Sequence, residues 1–271
     1  MVRIFGFLAG LGFVLALLWS MLWTPLAIEH DPVHARVQAP RSLALASDGL
    51  FGRYDRAQLQ RGFRVYKEVC AACHGLSLVA IRDIAHLGYT EDQVKALAAE
   101  FNVPSINPDT GEAATRPAMP SDNFPSPYPN EVAARAANGN ALPPDLSLIT
   151  KARHGGAAYV YSLLTGYRAV PASLPANLRP GTGLHYNPWF ATLNIAMPAP
   201  LASEGQVTYD DGTGATVDQM SADVSAFLVW TAEPELETRH AAGWASLGFL
   251  LILTVLAYLS YRSVWADKKG H

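Results

Sequence analysis

Cys70-Ala71-Ala72-Cys73-His74 carries more chemistry than any other five residues of the chain. Two thiols one helical turn apart can add to the two vinyl groups of one porphyrin. The adjacent imidazole then reaches the iron from the same side. CxxCH is the attachment pattern of c-type haem. The competing readings are a disulfide, a redox dithiol or half of a zinc site. Zinc needs further ligands, and these are the only two cysteines of the sequence. A thioredoxin-like dithiol needs a βαβ setting, which the surrounding sequence does not provide. The motif therefore predicts one haem c, covalent through Cys70 and Cys73, with His74 as an iron ligand.

Upstream of the motif, Leu59, Phe63, Tyr66 and Val69 recur at helical spacing, one apolar face of a helix starting near Asp55. Downstream, Thr90 is placed to cap a helix over 90–101. Residues 102–130 hold seven prolines, which excludes a long helix and reads as surface loop. Further helices are expected over 130–137 and 157–164, the latter stopped by Gly166. Tyr209-Asp210-Asp211-Gly212-Thr213 reads as a hairpin turn. Thr216-Val217-Asp218-Gln219 reads as a capping box opening a helix whose apolar face holds Met220, Val224, Phe227 and Leu228. Pro234 breaks that helix. The predicted fold class is mainly α.

Both ends of the 271-residue chain are apolar. No charged residue lies between Ile4 and Ile28 or between Ala241 and Tyr261. Each run reaches the ~20 residues that span a bilayer as a helix. The first is longer than a signal h-region of about 7–15 residues and lacks a good small-x-small site, which favours an anchor over a cleaved signal. Arg262, Lys268 and Lys269 flank the second run and Arg3 precedes the first. The positive-inside rule then puts the intervening residues outside the cytoplasm. The expected organisation is 1–28 hydrophobic anchor or signal, 29–50 linker, 51–240 exported haem domain, 241–262 membrane anchor and 263–271 cytoplasmic tail. A net charge of −3 argues against nucleic acid as a partner.

The second axial ligand is less obvious. Met119 and Met197 share the local sequence Ala-Met-Pro, and spacing alone does not choose between them. Met220 belongs to a helix core, and His86, His154 and His185 are weaker candidates. Methionine is the usual partner in electron-transfer cytochromes.

Beyond the motif, Phe51-Gly52-Arg53-Tyr54-Asp55 leads into Gln60-Arg61-Gly62-Phe63-Arg64-Val65-Tyr66. Phe124-Pro125-Ser126-Pro127-Tyr128-Pro129-Asn130 precedes Ala134-Arg135-Ala136-Ala137-Asn138 and Ala141-Leu142-Pro143-Pro144-Asp145-Leu146-Ser147. Lys151-Ala152-Arg153-His154-Gly155-Gly156, Ile195-Ala196-Met197-Pro198 and Trp230-Thr231-Ala232-Glu233-Pro234-Glu235 follow. In this set the chain resembles the cytochrome c1 family of bacterial type, the haem c subunits of the quinol–cytochrome c oxidoreductase (cytochrome bc1 complex). The resemblance covers nearly everything after about residue 45. It implies a class I cytochrome c-like domain with long loops on a C-terminal transmembrane helix, in the bacterial inner membrane with the haem domain in the periplasm. It implies one-electron transfer from the Rieske iron–sulfur protein to a cytochrome c, with cytochrome b as neighbour in a dimeric complex, and no independent catalysis by this chain. The alternative is a stand-alone anchored cytochrome c serving a terminal oxidase. The resemblance selects Met197 as axial ligand. It implies Arg153 as haem propionate partner with Tyr159 nearby, Arg135 as the rival, and Asn138, Pro143 and Pro144 as pocket lining. An arginine fork suits a propionate because it pairs a carboxylate bidentately.

One charge pattern stands apart. Between Arg179 and Arg239 there is no Lys or Arg, but eight acids: Glu204, Asp210, Asp211, Asp218, Asp223, Glu233, Glu235 and Glu237. This reads either as a solvated face or as a surface steering a basic cytochrome c.

Overall fold

The computed structural model describes residues 2–23, 33–266 and 268. The chain divides into two units, Met1–Arg36 and Val37–His271. The first holds α1 (Val2–Trp23), an uninterrupted apolar helix, and one 3₁₀ turn at His34–Arg36. Residues 24–28 of the expected anchor and 29–32 of the expected linker lie outside the described residues.

The second unit is mainly helical. Its elements are α2 (Arg56–Val65), α3 (Glu91–Ala99), β1 (Asn102–Ile106), β2 (Ala113–Pro117), α4 (Glu131–Ala137), α5 (Ile149–Ala152), α6 (Gly156–Leu164), β3 (His185–Tyr186), β4 (Asn194–Ile195), α7 (Val217–Ala232) and α8 (Leu236–Trp265). The helix starts follow local chemistry. Asp55 accepts the amides of Ala57 and Gln58, Asn130 accepts that of Ala133, and Thr90 with Gln93 forms a full capping box. Thr216 accepts the Gln219 amide, but the Gln219 side chain donates to Asp223 instead of closing the expected box.

The core is built where α2 crosses α7. Leu59 and Phe63 of the first, with Tyr66 just past its end, meet Met220, Val224 and Phe227 of the second, all fully buried. Burying each such side chain stabilises the fold by roughly 1.5–3 kcal/mol relative to exposure. Gly62 makes the crossing possible. A Cβ there would lie 2.1 Å from the Asp223 carbonyl oxygen and 2.7 Å from Phe227 Cβ. Phe124 closes the cluster with edge contacts to Phe63 and Tyr66.

Three further expectations need correction. The proline-rich stretch contains a hairpin: β1 and β2 pair antiparallel from Asn102↔Pro117 to Ile106↔Ala113. Prolines are tolerated there because both strands are edges. Conversely, residues 209–213 form a turn without flanking strands; Asp211 accepts the Thr213 amide and Gly212 takes a positive φ. The short strand pair lies elsewhere, at β3 and β4. Finally, the segment after Val37, expected as linker, is docked. The Trp189 indole donates to the Ala39 carbonyl, Arg41 stacks over Tyr161 and Trp189, and Leu45 is buried.

Both α1 and α8 contain spans long and apolar enough to cross a membrane. Helix α8 begins five residues before the apolar run, because its first turn is held by the haem-motif domain. Leu236 is buried, and Glu237 accepts from the Tyr54 amide and pairs with Arg56.

Candidate functional site

Helix α2 does not stop before the motif. It widens into a π-helical turn over Tyr66–Cys70, closed by the Ala71 amide bonding to the Tyr66 carbonyl. Such turns insert one residue into a helix and recur at functional positions. The Cys70 carbonyl then accepts the amides of both Cys73 and His74, folding CxxCH into a single tight turn. Neither cysteine is in a disulfide. Burial pushes the Cys70 thiol up to about 12, so it stays protonated at neutral pH.

His74 is fixed through its far nitrogen. Nδ1 lies 2.7 Å from the Pro144 carbonyl, an acceptor only, so Nδ1 carries the proton and Nε2 keeps its lone pair. Burial lowers the imidazole's pKa against the opposing effects of that bond and of Asp145. The backbone of His74 is held as well, since the buried Tyr66 hydroxyl donates to its carbonyl at 3.0 Å.

The Pro144 carbonyl is in turn positioned by a clasp. Leu146 N–H bonds the Gly75 carbonyl, Ser77 N–H bonds Asp145 Oδ2, and Leu78 N–H bonds Ser147 Oγ. Burial alone would raise the Asp145 carboxyl, but the hydrogen bonds from Ser147 and Ser77 outweigh it and hold it below the usual range.

Two clefts flank the Pro144-Asp145 segment. One is lined by Cys73, Tyr128, Leu142, Pro143 and Pro144. Asn138 is tied to two of its lining residues, donating to the Tyr128 hydroxyl and the Ala134 carbonyl. The other is lined by Ser77, Pro144, Asp145, Leu148 and Arg153. Tyr159 lies close enough to feel the Arg153 charge, although burial dominates and raises its phenol. Arg135 is engaged differently, donating to the Asn140 carbonyl at 3.1 Å. The structure thus places Arg153, and not Arg135, in a cleft with the histidine's carbonyl partner.

The two Ala-Met-Pro segments, alike in sequence, differ in setting. Met119 is 51% exposed on the turn after β2. Met197 is half-buried against the main core, and the Tyr167 hydroxyl donates to its carbonyl at 3.1 Å. Tyr66, Asp145 and Tyr167 are site residues that sequence reasoning missed as such. Tyr66 looked like core alone, and nothing local marks its hydroxyl as a backbone clamp.

The donor set fits haem c: two unpaired thiols on one turn, an imidazole with one nitrogen committed and one free, and a half-buried thioether. Among the described residues no cluster of three or more His, Cys, Asp or Glu could hold a bare metal ion.

Seven of the eight acids in the run have partners within the fold. Asp211 and Asp223 pair with Arg61, Asp210 with Arg64, Glu233 with Lys151 and Arg239, and Glu237 with Arg56. Asp218 accepts from the Tyr161 hydroxyl and Glu204 from the Val217 amide. The carboxylates read as a steering surface are thus largely partnered within the fold.

Comparison with known proteins agrees with this chemistry. The sequence profile of the Cytochrome C1 family matches residues 45–268. The chain is 52% identical over 223 residues to cytochrome c1-2, heme protein, mitochondrial, of Solanum tuberosum, covering 82% of this chain and 84% of that protein. It is 47% identical over 233 residues to cytochrome c1 of Rhodospirillum rubrum, covering 82% and 85%. It is also 46% identical over 237 residues to cytochrome b/c1 of Bradyrhizobium diazoefficiens, covering 81% of this chain and 34% of that longer protein. On the extent of these matches, the chain belongs to the cytochrome c1 family.

Proposed function

We propose that this chain is the haem c electron-transfer subunit of a quinol–cytochrome c oxidoreductase. It takes one electron from a Rieske iron–sulfur protein and passes it to a cytochrome c. The observation that carries the reading is the 2.7 Å contact of His74 Nδ1 with the Pro144 carbonyl, one residue after two free thiols. It leaves Nε2 as the only imidazole nitrogen able to bind iron. Bound there, haem c supplies a one-electron couple whose potential depends on its axial ligands and surroundings.

Every other contribution comes from the protein. Cys70 and Cys73 would tether the group, His74 Nε2 and the Met197 thioether would bind its iron, and Arg153 with Tyr159 would pair a propionate. Asn138, Pro143 and Pro144 would line its edge. No proton transfer is required at this site, so the protein's work is to hold ligands still and set the potential. Helix α8 anchors the domain, with the C-terminus cytoplasmic, the domain in the periplasm of a bacterial inner membrane, and a cytochrome b subunit as neighbour in a dimeric complex.

The test is gentle detergent purification of the tagged chain from its native membrane, assayed for quinol-dependent cytochrome c reduction. Co-purifying b-type haem and Rieske protein, with inhibitor-sensitive activity, is the expected result. A lone haem c protein without that activity, from membranes whose complex survives extraction, would overturn the proposal in favour of an anchored carrier to an oxidase.

A further inference from the structure

The loop ahead of α2 exposes two large apolar side chains. Leu50 is 71% and Phe51 76% exposed at its tip. The loop is rigidly made. Leu45 and Asp48 close it with reciprocal bonds, Leu45 N–H to the Asp48 carboxylate and Asp48 N–H to the Leu45 carbonyl. Gly49 takes a positive φ, and a Cβ on Gly52 would sit 2.1 Å from the Ser47 carbonyl oxygen. A loop built this tightly around two glycines holds Leu50 and Phe51 outward by construction.

The same loop is fastened to the start of α8. The Phe51 ring stacks on Trp244 with centroids 4.8 Å apart and planes within 1° of parallel. The Trp244 indole N–H donates to the Leu50 carbonyl at 3.2 Å, and His240 Nδ1 lies 3.2 Å from the Gly52 carbonyl. Trp244 is the fourth residue of the apolar run that opens at Ala241. At a rise of ~1.5 Å per residue that run is about 32 Å long, matching a hydrocarbon core of ~30 Å. Trp244 therefore falls about 5 Å inside its outer edge, the depth at which tryptophan gathers in membrane proteins. A ring stacked flat on Trp244 shares its depth.

We infer that the Leu50-Phe51 tip is a second membrane contact of the exported domain, seated with Trp244 at the boundary between lipid headgroups and acyl chains. The inference rests on reading α8 as a membrane span. Its occupant is lipid because the apolar surface of the tip continues that of the span. The consequence is mechanical. Joined to α8 through its first turn alone, the domain could swing about that helix, whereas an embedded loop beside it sets the tilt over the bilayer.

The test uses the full-length, haem-loaded protein in phosphatidylcholine–phosphatidylglycerol vesicles. Thioether attachment consumes Cys70 and Cys73, so an introduced cysteine is the one free thiol for a nitroxide label. Phe51→Cys and Leu50→Cys place the label at the tip, the second preserving the stack. Leu256→Cys reports the C-terminal half of the apolar run in α8, and Val132→Cys reports a residue of α4 that is 79% exposed. Collision rates with oxygen and with a water-soluble nickel complex are compared. The expected result is an oxygen-to-nickel ratio at 50 and 51 several-fold above that at 132. A tip ratio equal to that at 132, or exclusion of both reagents by a protein surface, overturns the inference while a lipid-like value at 256 leaves the span standing. A water-like value at 256 overturns the span and the inference with it.

Discussion

Replacing Gly62 by alanine tests whether the α2–α7 crossing governs the stability of the haem-motif domain. The new Cβ would start 2.1 Å from the Asp223 carbonyl oxygen, 2.7 Å from its carbonyl carbon and 2.7 Å from Phe227 Cβ. Non-bonded Cβ contacts under 3.0 Å essentially do not occur, so the two helices must separate by about 0.9 Å. The obstacle is backbone and a helix-borne Cβ, neither of which can rotate away. Overpacking costs about 1–3 kcal/mol, and a clash of this kind belongs at the top of that range. Alanine's better helix propensity returns about 1 kcal/mol, leaving a net loss of about 2 kcal/mol. Separation would also stretch the 2.9 Å Arg61–Asp223 pair and shift the π-helical turn that delivers Cys70. In urea titrations of the detergent-solubilised haem protein, with a slope of about 2 kcal/mol per M, the midpoint falls by about 1 M. Ala57, exposed on the same helix, supplies the control. Ala57→Gly, in the first turn beside the Asp55 cap, costs at most the interior propensity difference of about 1 kcal/mol. A Gly62→Ala protein as stable as the parent, or more so, would refute the close-approach argument.

Other consequences follow from the same contacts. Met197→Ala lowers the haem midpoint potential sharply in redox titration, whereas Met119→Ala leaves it unchanged; the opposite pattern exchanges their roles. Asp223→Ala leaves Arg61 half-paired behind a buried surface and costs about 3 kcal/mol in denaturant unfolding, the low end for a broken buried pair because Asp211 still binds Arg61. The Arg116 guanidinium and the Met119 amide hold Asp122 at about 2, below its ordinary 3.8. A depressed carboxylate stabilises above its unfolded pKa and loses that effect as pH falls through the folded value. Melting temperature should therefore decline between pH 4 and 2, and less steeply in Asp122→Asn; parallel curves would remove Asp122 from the acid response.

Much of this was legible in the sequence because it is local. Asp55, Thr90 and Asn130 sit where a capping side chain must sit, and Leu59, Phe63 and Tyr66 repeat at the helical period. CxxCH states its chemistry within five residues. What escaped depends on partners far along the chain. Glu237 meets Tyr54 and Arg56 from about 180 residues away, and Asp211 meets Arg61 across 150. No window of sequence shows that such carboxylates are already spoken for. Gln219 had the right place for a capping box, but the buried Asp223 carboxylate one turn on competes for its amide. The hairpin at β1–β2 was hidden because proline density signals loop, and edge strands tolerate proline. Met119 and Met197 share three residues, and only their tertiary settings separate them.

The central claim is that His74 and Met197 together hold an iron whose porphyrin is tethered at Cys70 and Cys73. Near-infrared magnetic circular dichroism of the oxidised full-length protein reads the axial pair directly. A charge-transfer band characteristic of imidazole–thioether ligation, lost in Met197→Ala and retained in Met119→Ala, is the predicted result. A bis-imidazole signature, or one indifferent to Met197, would contradict the account.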